Sequence, residues 1–145
     1  MATRAANPAR ATEPTQFLSV DLELEGAAAT LEMVAAELSG SLFVLHHEVR
    51  GRRARIHYQV ISARLATPEA TLRSLCRIVE RLRSPARRAW QSLRTRDLNV
   101  GIQAGRQPHF VEYPITPETL SRVAALGARV VLTVYAPFPR PRIRS

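Results

Sequence analysis

The stretch Phe17-Leu18-Ser19-Val20-Asp21-Leu22-Glu23-Leu24-Glu25 alternates apolar and polar residues without a break. Successive side chains of a strand point to opposite faces, so this pattern predicts a half-buried strand with Leu18, Val20, Leu22 and Leu24 toward a core and the acids toward water. Gly26 ends the run. Leu31, Val34, Ala35 and Leu38 then recur at helical spacing until Ser39-Gly40, which predicts a helix crossing back over the strand. Residues 41–49 and 54–62 are β-rich, and the short Arg50-Gly51-Arg52-Arg53 link between them predicts a hairpin that pairs 49 with 54 and 46 with 57. In that register Phe43, Leu45 and Val49 share a face with Val60, Tyr58 and Ala54.

Working outward, Thr67-Pro68-Glu69 supplies a cap, a proline suited to the first helical turn and an early acid. Leu72, Leu75, Cys76, Val79 and Leu82 make the apolar stripe of the helix that follows. Ser84-Pro85 opens a shorter one carrying Trp90 and Leu93. Residues 98–104 alternate again, 105–109 form a turn, and 110–115 read as a short strand or extended segment. Thr116-Pro117-Glu118 repeats the capping pattern for a helix to about Leu126, and 129–136 are a β-branched strand. The order predicts an α+β fold: a ferredoxin-like antiparallel or mixed sheet with helices mainly on one face and an added C-terminal β-β-α-β unit. Residues 1–15 read as a disordered tail, 16–136 as one domain, and 137–145, where Pro alternates with Arg, as a stiff tail.

The chain has 145 residues, enough to bury roughly 68–70% of the surface its unfolded form exposes. No apolar run reaches the length of a membrane span, residues 1–14 lack the apolar core of a secretory signal, and a lone Cys76 excludes an internal disulfide framework. These features predict a cytoplasmic protein. Charge is unevenly spread. Between Arg50 and Arg96 there are 13 arginines against only Glu69 and Glu80, within a formal net charge of +9. All 21 basic residues are Arg, a usage that codon bias in a GC-rich genome produces by itself. The charge nevertheless favours acidic protein surfaces or polyanions.

Candidate residues fall into three groups. Arg73, Arg77 and Arg81 recur every four residues along one helix, Arg87 and Arg88 decorate the next, and Arg50, Arg52, Arg53 and Arg55 surround the hairpin turn; adjacent cations are what phosphate or acidic side chains require. His46, Glu48 and His57 share one hairpin face and are the candidates for a divalent metal, against the plainer expectation that Glu48 pairs with Arg55 and the two histidines are cross-strand neighbours. His47 reads as a core-edge residue. Asp21, Glu23 and Glu25 would face Arg53, Arg55 and His57 across the first and third strands, where charge pairing accounts for them without catalysis. No nucleophile elbow, zinc-protease helix or phosphate-binding loop occurs, Gly101 and Gly105 serve a bulge and a turn, and Cys76 reads as core. No catalytic residue and no cofactor is expected.

Residues 18–82, with strand, Gly26 turn, helix, hairpin and second helix, resemble the small ligand-sensing ACT fold. That likeness implies an amino-acid-type ligand beside the loop glycine, where this chain carries Ala27, Ala28 and Ala29. The first strand, Asn99-Val100-Gly101-Ile102, Ile115-Thr116-Pro117-Glu118-Thr119-Leu120 and Val131-Leu132-Thr133-Val134-Tyr135 are together similar to an uncharacterised family of small bacterial α/β proteins with toxin-neutralising, immunity-like members. The resemblance implies a non-enzymatic protein that works by macromolecular binding, with an acidic protein surface as partner. A basic nucleic-acid-associated protein and an ACT-like sensor stay open as alternatives, as does a homodimer formed through exposed sheet edges.

Overall fold

A computed structural model describes residues 13–61, 65–137 and 139. Most of the two expected tails lies outside these residues. In chain order the elements are β1 (Gln16–Ala27), α1 (Ala28–Leu38), β2 (Leu42–Arg50), β3 (Arg53–Val60), α2 (Pro68–Glu80), α3 (Ala86–Ser92), β4 (Thr95–Gln103), α4 (Pro117–Ala125) and β5 (Arg129–Tyr135). The strands form one five-stranded mixed sheet in the order β2-β3-β1-β4-β5. β1 runs antiparallel to both β3 and β4, β2 is antiparallel to β3, and β4 is parallel to β5. The fold is therefore α+β.

β1 is central because its alternation suits a strand flanked on both edges and covered on one face. Val20, Leu22 and Leu24 are at most 1% exposed and pack beneath Leu31, Val34 and Leu38 of α1 and Leu72, Leu75, Cys76 and Val79 of α2. Burying each Leu or Val of this set stabilises the fold by about 1.5–3 kcal/mol. β3 contributes Ala54, Ile56 and Tyr58 to the same core, and β4 contributes Leu98 and Val100. The alternate residues of these strands face the other way, where the described chain places no helix.

Both Thr-Pro-Glu segments cap as the sequence predicts. The Thr67 hydroxyl accepts from Ala70 N–H and the Thr116 hydroxyl from Thr119 N–H, each at 3.2 Å. The hairpin register also agrees, with Val49 opposite Ala54 and His46 opposite His57. Gly51, at φ 60°, takes the positive dihedral that this two-residue turn requires.

Five expectations need correction. Leu18, expected to face the core with Val20, Leu22 and Leu24, is 47% exposed beyond a register shift between Phe17 and Ser19, and Phe17 packs against the core instead. A bulge between Val44 and His46 exchanges the faces of the residues before it, so Leu42 and Val44 lie opposite Val60 and Tyr58, while Phe43 lies opposite Gln59 on the polar side. β4 begins at Thr95 rather than 98, because Thr95, Arg96 and Asp97 pair with Glu25, Leu24 and Glu23. Of the two alternatives for residues 110–115, a short strand or an extended segment, the strand is not formed. Residues 13–15 are held rather than free: Thr15 N–H donates to the Gln107 carbonyl, Arg106 N–H to Glu13, and Gly105 N–H to the Thr15 hydroxyl. A Cβ on Gly105 would sit 2.2 Å from the Pro14 carbonyl carbon, so that close approach needs glycine.

Candidate functional site

The open face of the sheet collects the alternating polar residues of all five strands. Each β1 acid is engaged there by a neighbour. Gln59 Nε2 donates to Asp21 Oδ1 at 2.9 Å, Asn99 Nδ2 donates to Glu23 Oε1 at 2.9 Å, and Arg55 approaches Glu25 at 3.7 Å. Further along, the Thr133 hydroxyl donates to Asn99 at 2.7 Å. Asp97, only 5% exposed, receives two parallel hydrogen bonds from Arg129 at 2.8 and 2.7 Å, which ties the start of β5 to β4. The Arg129 pKa is raised by this hydrogen bonding and by the Asp97 charge. The predicted facing of the β1 acids toward β3 is met, with Glu23 opposite His57 and Glu25 opposite Arg55. Sequence reasoning does not single out Asn99, Asp97 and Arg129, which only the pairing of β4 with β1 and β5 brings in, nor Gln59, which the pairing of β3 with β1 sets opposite Asp21.

Two depressions of about 280 Å³ each lie on this face. One is lined by Glu25, Glu48 and Arg50 with Arg53, Ala54 and Arg55; the other includes Glu23, Arg55, His57, Asp97 and Arg129. Small-molecule sites usually span about 300–1,000 Å³ and are mostly apolar. These are shallow and ionic, and their carboxylates are already engaged: Glu23 by Asn99, Glu25 by Arg55, Glu48 by Arg50 and Asp97 by Arg129.

The hairpin trio does not converge. The His46 and His57 rings meet edge-on with centroids 5.7 Å apart, and Glu48 lies 3.9 Å from His46 Nε2. Glu48 is directed instead to Arg50, whose Nε donates to it at 2.7 Å; this hydrogen bond lowers the Glu48 pKa, and the charges of Arg50, His46 and Arg55 add to it. The expected Glu48–Arg55 ion pair is thus replaced by Glu48–Arg50 and Glu25–Arg55, although Glu48 and Arg55 are opposite in register. His47, opposite Ile56, is exposed rather than a core-edge residue. Among the described residues no group of three or more His, Cys, Asp or Glu side chains is arranged to hold a metal ion. Cys76 is 1% exposed, and burial pushes its thiol pKa up.

The arginines separate into two surfaces. Arg53 and Arg55 lie on the open sheet face beside the Arg50 and Arg52 turn, whereas Arg73, Arg77, Arg87 and Arg88 are exposed on helices packed against the opposite face, with Arg81 at the C-cap of α2. The two groups therefore do not form a single patch. The two acids of α2 are engaged by α4. Glu69 accepts from the Thr116 N–H (3.1 Å), the Thr116 hydroxyl (2.8 Å) and the Thr119 hydroxyl (2.7 Å), while Glu80 pairs with Arg122. Desolvation works to raise the Glu69 pKa, but the hydrogen bonds from Thr119 and Thr116 and the charge of Arg73 outweigh it and the net shift is downward. Both acids of the 50–96 window are thus consumed in fastening α2 to α4. Among the described residues none of Arg73, Arg77, Arg81, Arg87 and Arg88 forms an ion pair. Arg96 is different: it donates to the carbonyls of Trp90, Gln91 and Gly127 and satisfies two helix ends.

In comparison with known proteins, no family model, no curated protein and no solved structure matches the chain. Among the described residues no helix is long and apolar enough to cross a membrane.

Proposed function

We propose that the protein is a small, non-enzymatic, cytoplasmic bacterial binding protein with an immunity-like role, which captures a protein partner through an acidic surface and blocks it sterically. The observation that carries this reading is the segregation of charge on α2 and α3: Glu69 and Glu80 bond to α4, and five arginines face water without an ion pair among the described residues. Unpaired exposed cations remain available to an incoming anionic surface and steer its approach. The satisfied carboxylates of the open sheet face argue against acid–base chemistry there. The order β2-β3-β1-β4 with helices on one face is read as a ferredoxin-like core, with α4 and β5 as the added C-terminal part.

A nucleic-acid backbone is the second reading, favoured by the same row of arginines at helical i, i+4 spacing. The exposed side of α2 and α3 offers no aromatic side chain for base stacking, since Trp90 is 3% exposed and its Nε1–H donates to the Leu126 carbonyl. An ACT-like sensor has less support: a Cβ on Gly26 would meet Leu93 Cδ2 at 3.0 Å, so the space beside the loop glycine is filled.

The test is an affinity pull-down from native host lysate with the full chain and with an Arg73→Glu/Arg77→Glu/Arg81→Glu variant, each with and without nuclease. The expected result is an acidic protein that survives nuclease and is lost with the variant. Recovery of nucleic acid alone, released above moderate salt, transfers the function to phosphate binding. A partner retained by the variant refutes the α2 surface.

A further inference from the structure

The two edges of the sheet differ in how they meet solvent. β2 carries His46, His47, Glu48, Arg50 and a bulge, features that discourage edge-to-edge pairing. β5 carries a single ionic side chain, Arg129, already held by Asp97, and its remaining residues are Val130, Val131, Leu132, Thr133, Val134 and Tyr135. Leu132 and Val134 are 63% and 61% exposed, and Leu120 of neighbouring α4 is 47% exposed.

The direction of the β5 backbone groups follows from one hydrogen bond. Ala104 N–H donates to the Tyr135 carbonyl at 2.9 Å, so Tyr135 points its peptide groups toward β4. By alternation Thr133 and Val131 do the same, while Val130, Leu132 and Val134 point theirs outward. These three lie opposite Leu98, Val100 and Ile102 and share the helix side of the sheet. The outward backbone groups and the exposed apolar side chains therefore belong to the same residues.

We propose that β5 pairs antiparallel with β5 of a second copy of this chain, about a two-fold axis at Leu132. Leu132 then faces its own counterpart, Val130 faces Val134 of the second copy, and Arg129 faces Tyr135 of the second copy on the open side. No charge meets a like charge. This register pairs the whole strand, and any shift along it leaves one end of each β5 unpartnered. It forms about six backbone hydrogen bonds between the copies. The apolar ladder stands on the helix side of the sheet, to which α4 brings Leu120. Because the two-fold is normal to the sheet, both helix layers lie on one side and the Arg-bearing faces of both copies are presented together. The association stands independently of the acidic-partner reading, and it would give a partner with two acidic sites an avidity gain.

The test is sedimentation of the full chain from about 1 to about 100 μM, the range suited to a modest interface. A concentration-dependent dimer is expected, weakened at least about tenfold in Leu132→Lys, where two cations meet at the axis. Because Leu132 is exposed, that variant keeps the melting curve of the parent at concentrations too low for the dimer to form. The register is read by mild oxidation of Leu132→Cys, since directly opposed hydrogen-bonded residues have Cα atoms about 5.5 Å apart, within disulfide reach. Buried Cys76 stays out of the reaction. A covalent dimer from Leu132→Cys and none from Val44→Cys on the β2 edge supports the proposal. A monomer across the concentration range, or cross-linking by Val44→Cys in place of Leu132→Cys, overturns it.

Discussion

Replacing Tyr58 with Phe should stabilise this protein. Tyr58 lies on β3 between Leu22 and Val44, is fully buried, and its hydroxyl meets no hydrogen-bond partner among the described residues. A buried hydroxyl without a partner costs about 1–3 kcal/mol, and Phe keeps the ring and its packing while removing only the oxygen. A gain of about 1–2 kcal/mol at neutral pH follows, equivalent to a rise of about 3–6 °C in Tm for a domain of this size. The alkaline limb gives a second signature. Burial pushes the Tyr58 pKa up to about 12, against about 10 for an unfolded tyrosine. The folded state holds the proton more tightly, so this contribution is fully present below about pH 10 and is lost as pH rises toward 12. Between pH 9 and 11 the parent should lose about 1.3 kcal/mol more than Tyr58→Phe. Urea unfolding of both proteins across that range measures the difference and cancels the other titrating groups. A variant less stable than the parent by more than about 1 kcal/mol, or parallel pH curves for the two proteins, would refute the reasoning by placing a partner on the hydroxyl.

Three further outcomes are expected. Thr116→Ala removes the α4 cap and the hydroxyl hydrogen bond to Glu69, and should cost about 1–2 kcal/mol by urea unfolding, with most of the loss restored in Thr116→Ser. Gly105→Ala forces a Cβ into the Pro14 backbone and should cost about 1–3 kcal/mol, with faster hydrogen exchange at Thr15 and Arg106 amides as the local readout. Cys76, buried and with its pKa raised, should resist an aromatic disulfide reagent at pH 8 in the native state and react with one equivalent in denaturant; reaction without denaturant would contradict its place on the buried side of α2.

The central strand, the hairpin and the two Thr-capped helices were legible because each is specified within a few residues: alternation, a two-residue turn, or Thr-Pro-Glu. What escaped the sequence is non-local. The bulge at residue 45 was hidden because Leu42, Phe43, Val44 and Leu45 are all apolar, so no period distinguishes one face from the other, and Phe43 emerged on the polar side. Thr95, Arg96 and Asp97 offer no apolar signal and become strand only by lying beside Glu25, Leu24 and Glu23. In the candidate site, the Arg73-Arg77-Arg81 row was readable as one helical stripe. Its isolation from the hairpin arginines follows from which face of the sheet each element occupies. That Glu69 and Glu80 do not neutralise it depends on α4, about 40 residues further on.

The placement of those two acids bears on why the stripe exists. Like charges at i, i+4 on a helix destabilise it by about 0.2–0.5 kcal/mol per pair, so Arg73, Arg77 and Arg81 work against α2. A Glu at 77 would convert both of these repulsions into attractions, and codon bias, which accounts for Arg in place of Lys, does not disfavour Glu. The fold does use Glu on this helix, but at 69 and 80, where the carboxylates fasten α4. A sequence that satisfies its local preferences elsewhere, in caps, core stripe and hairpin register, departs from them on one solvent-facing surface. Departures of that kind are expected where a surface serves a partner rather than the fold. On the function proposed above, the unneutralised arginines of α2 and α3 are that surface, and the charge-reversed variant should lose the acidic partner without any gain in stability, because three glutamates at the same spacing repel as the arginines do and Glu69 and Glu80 add to the repulsion.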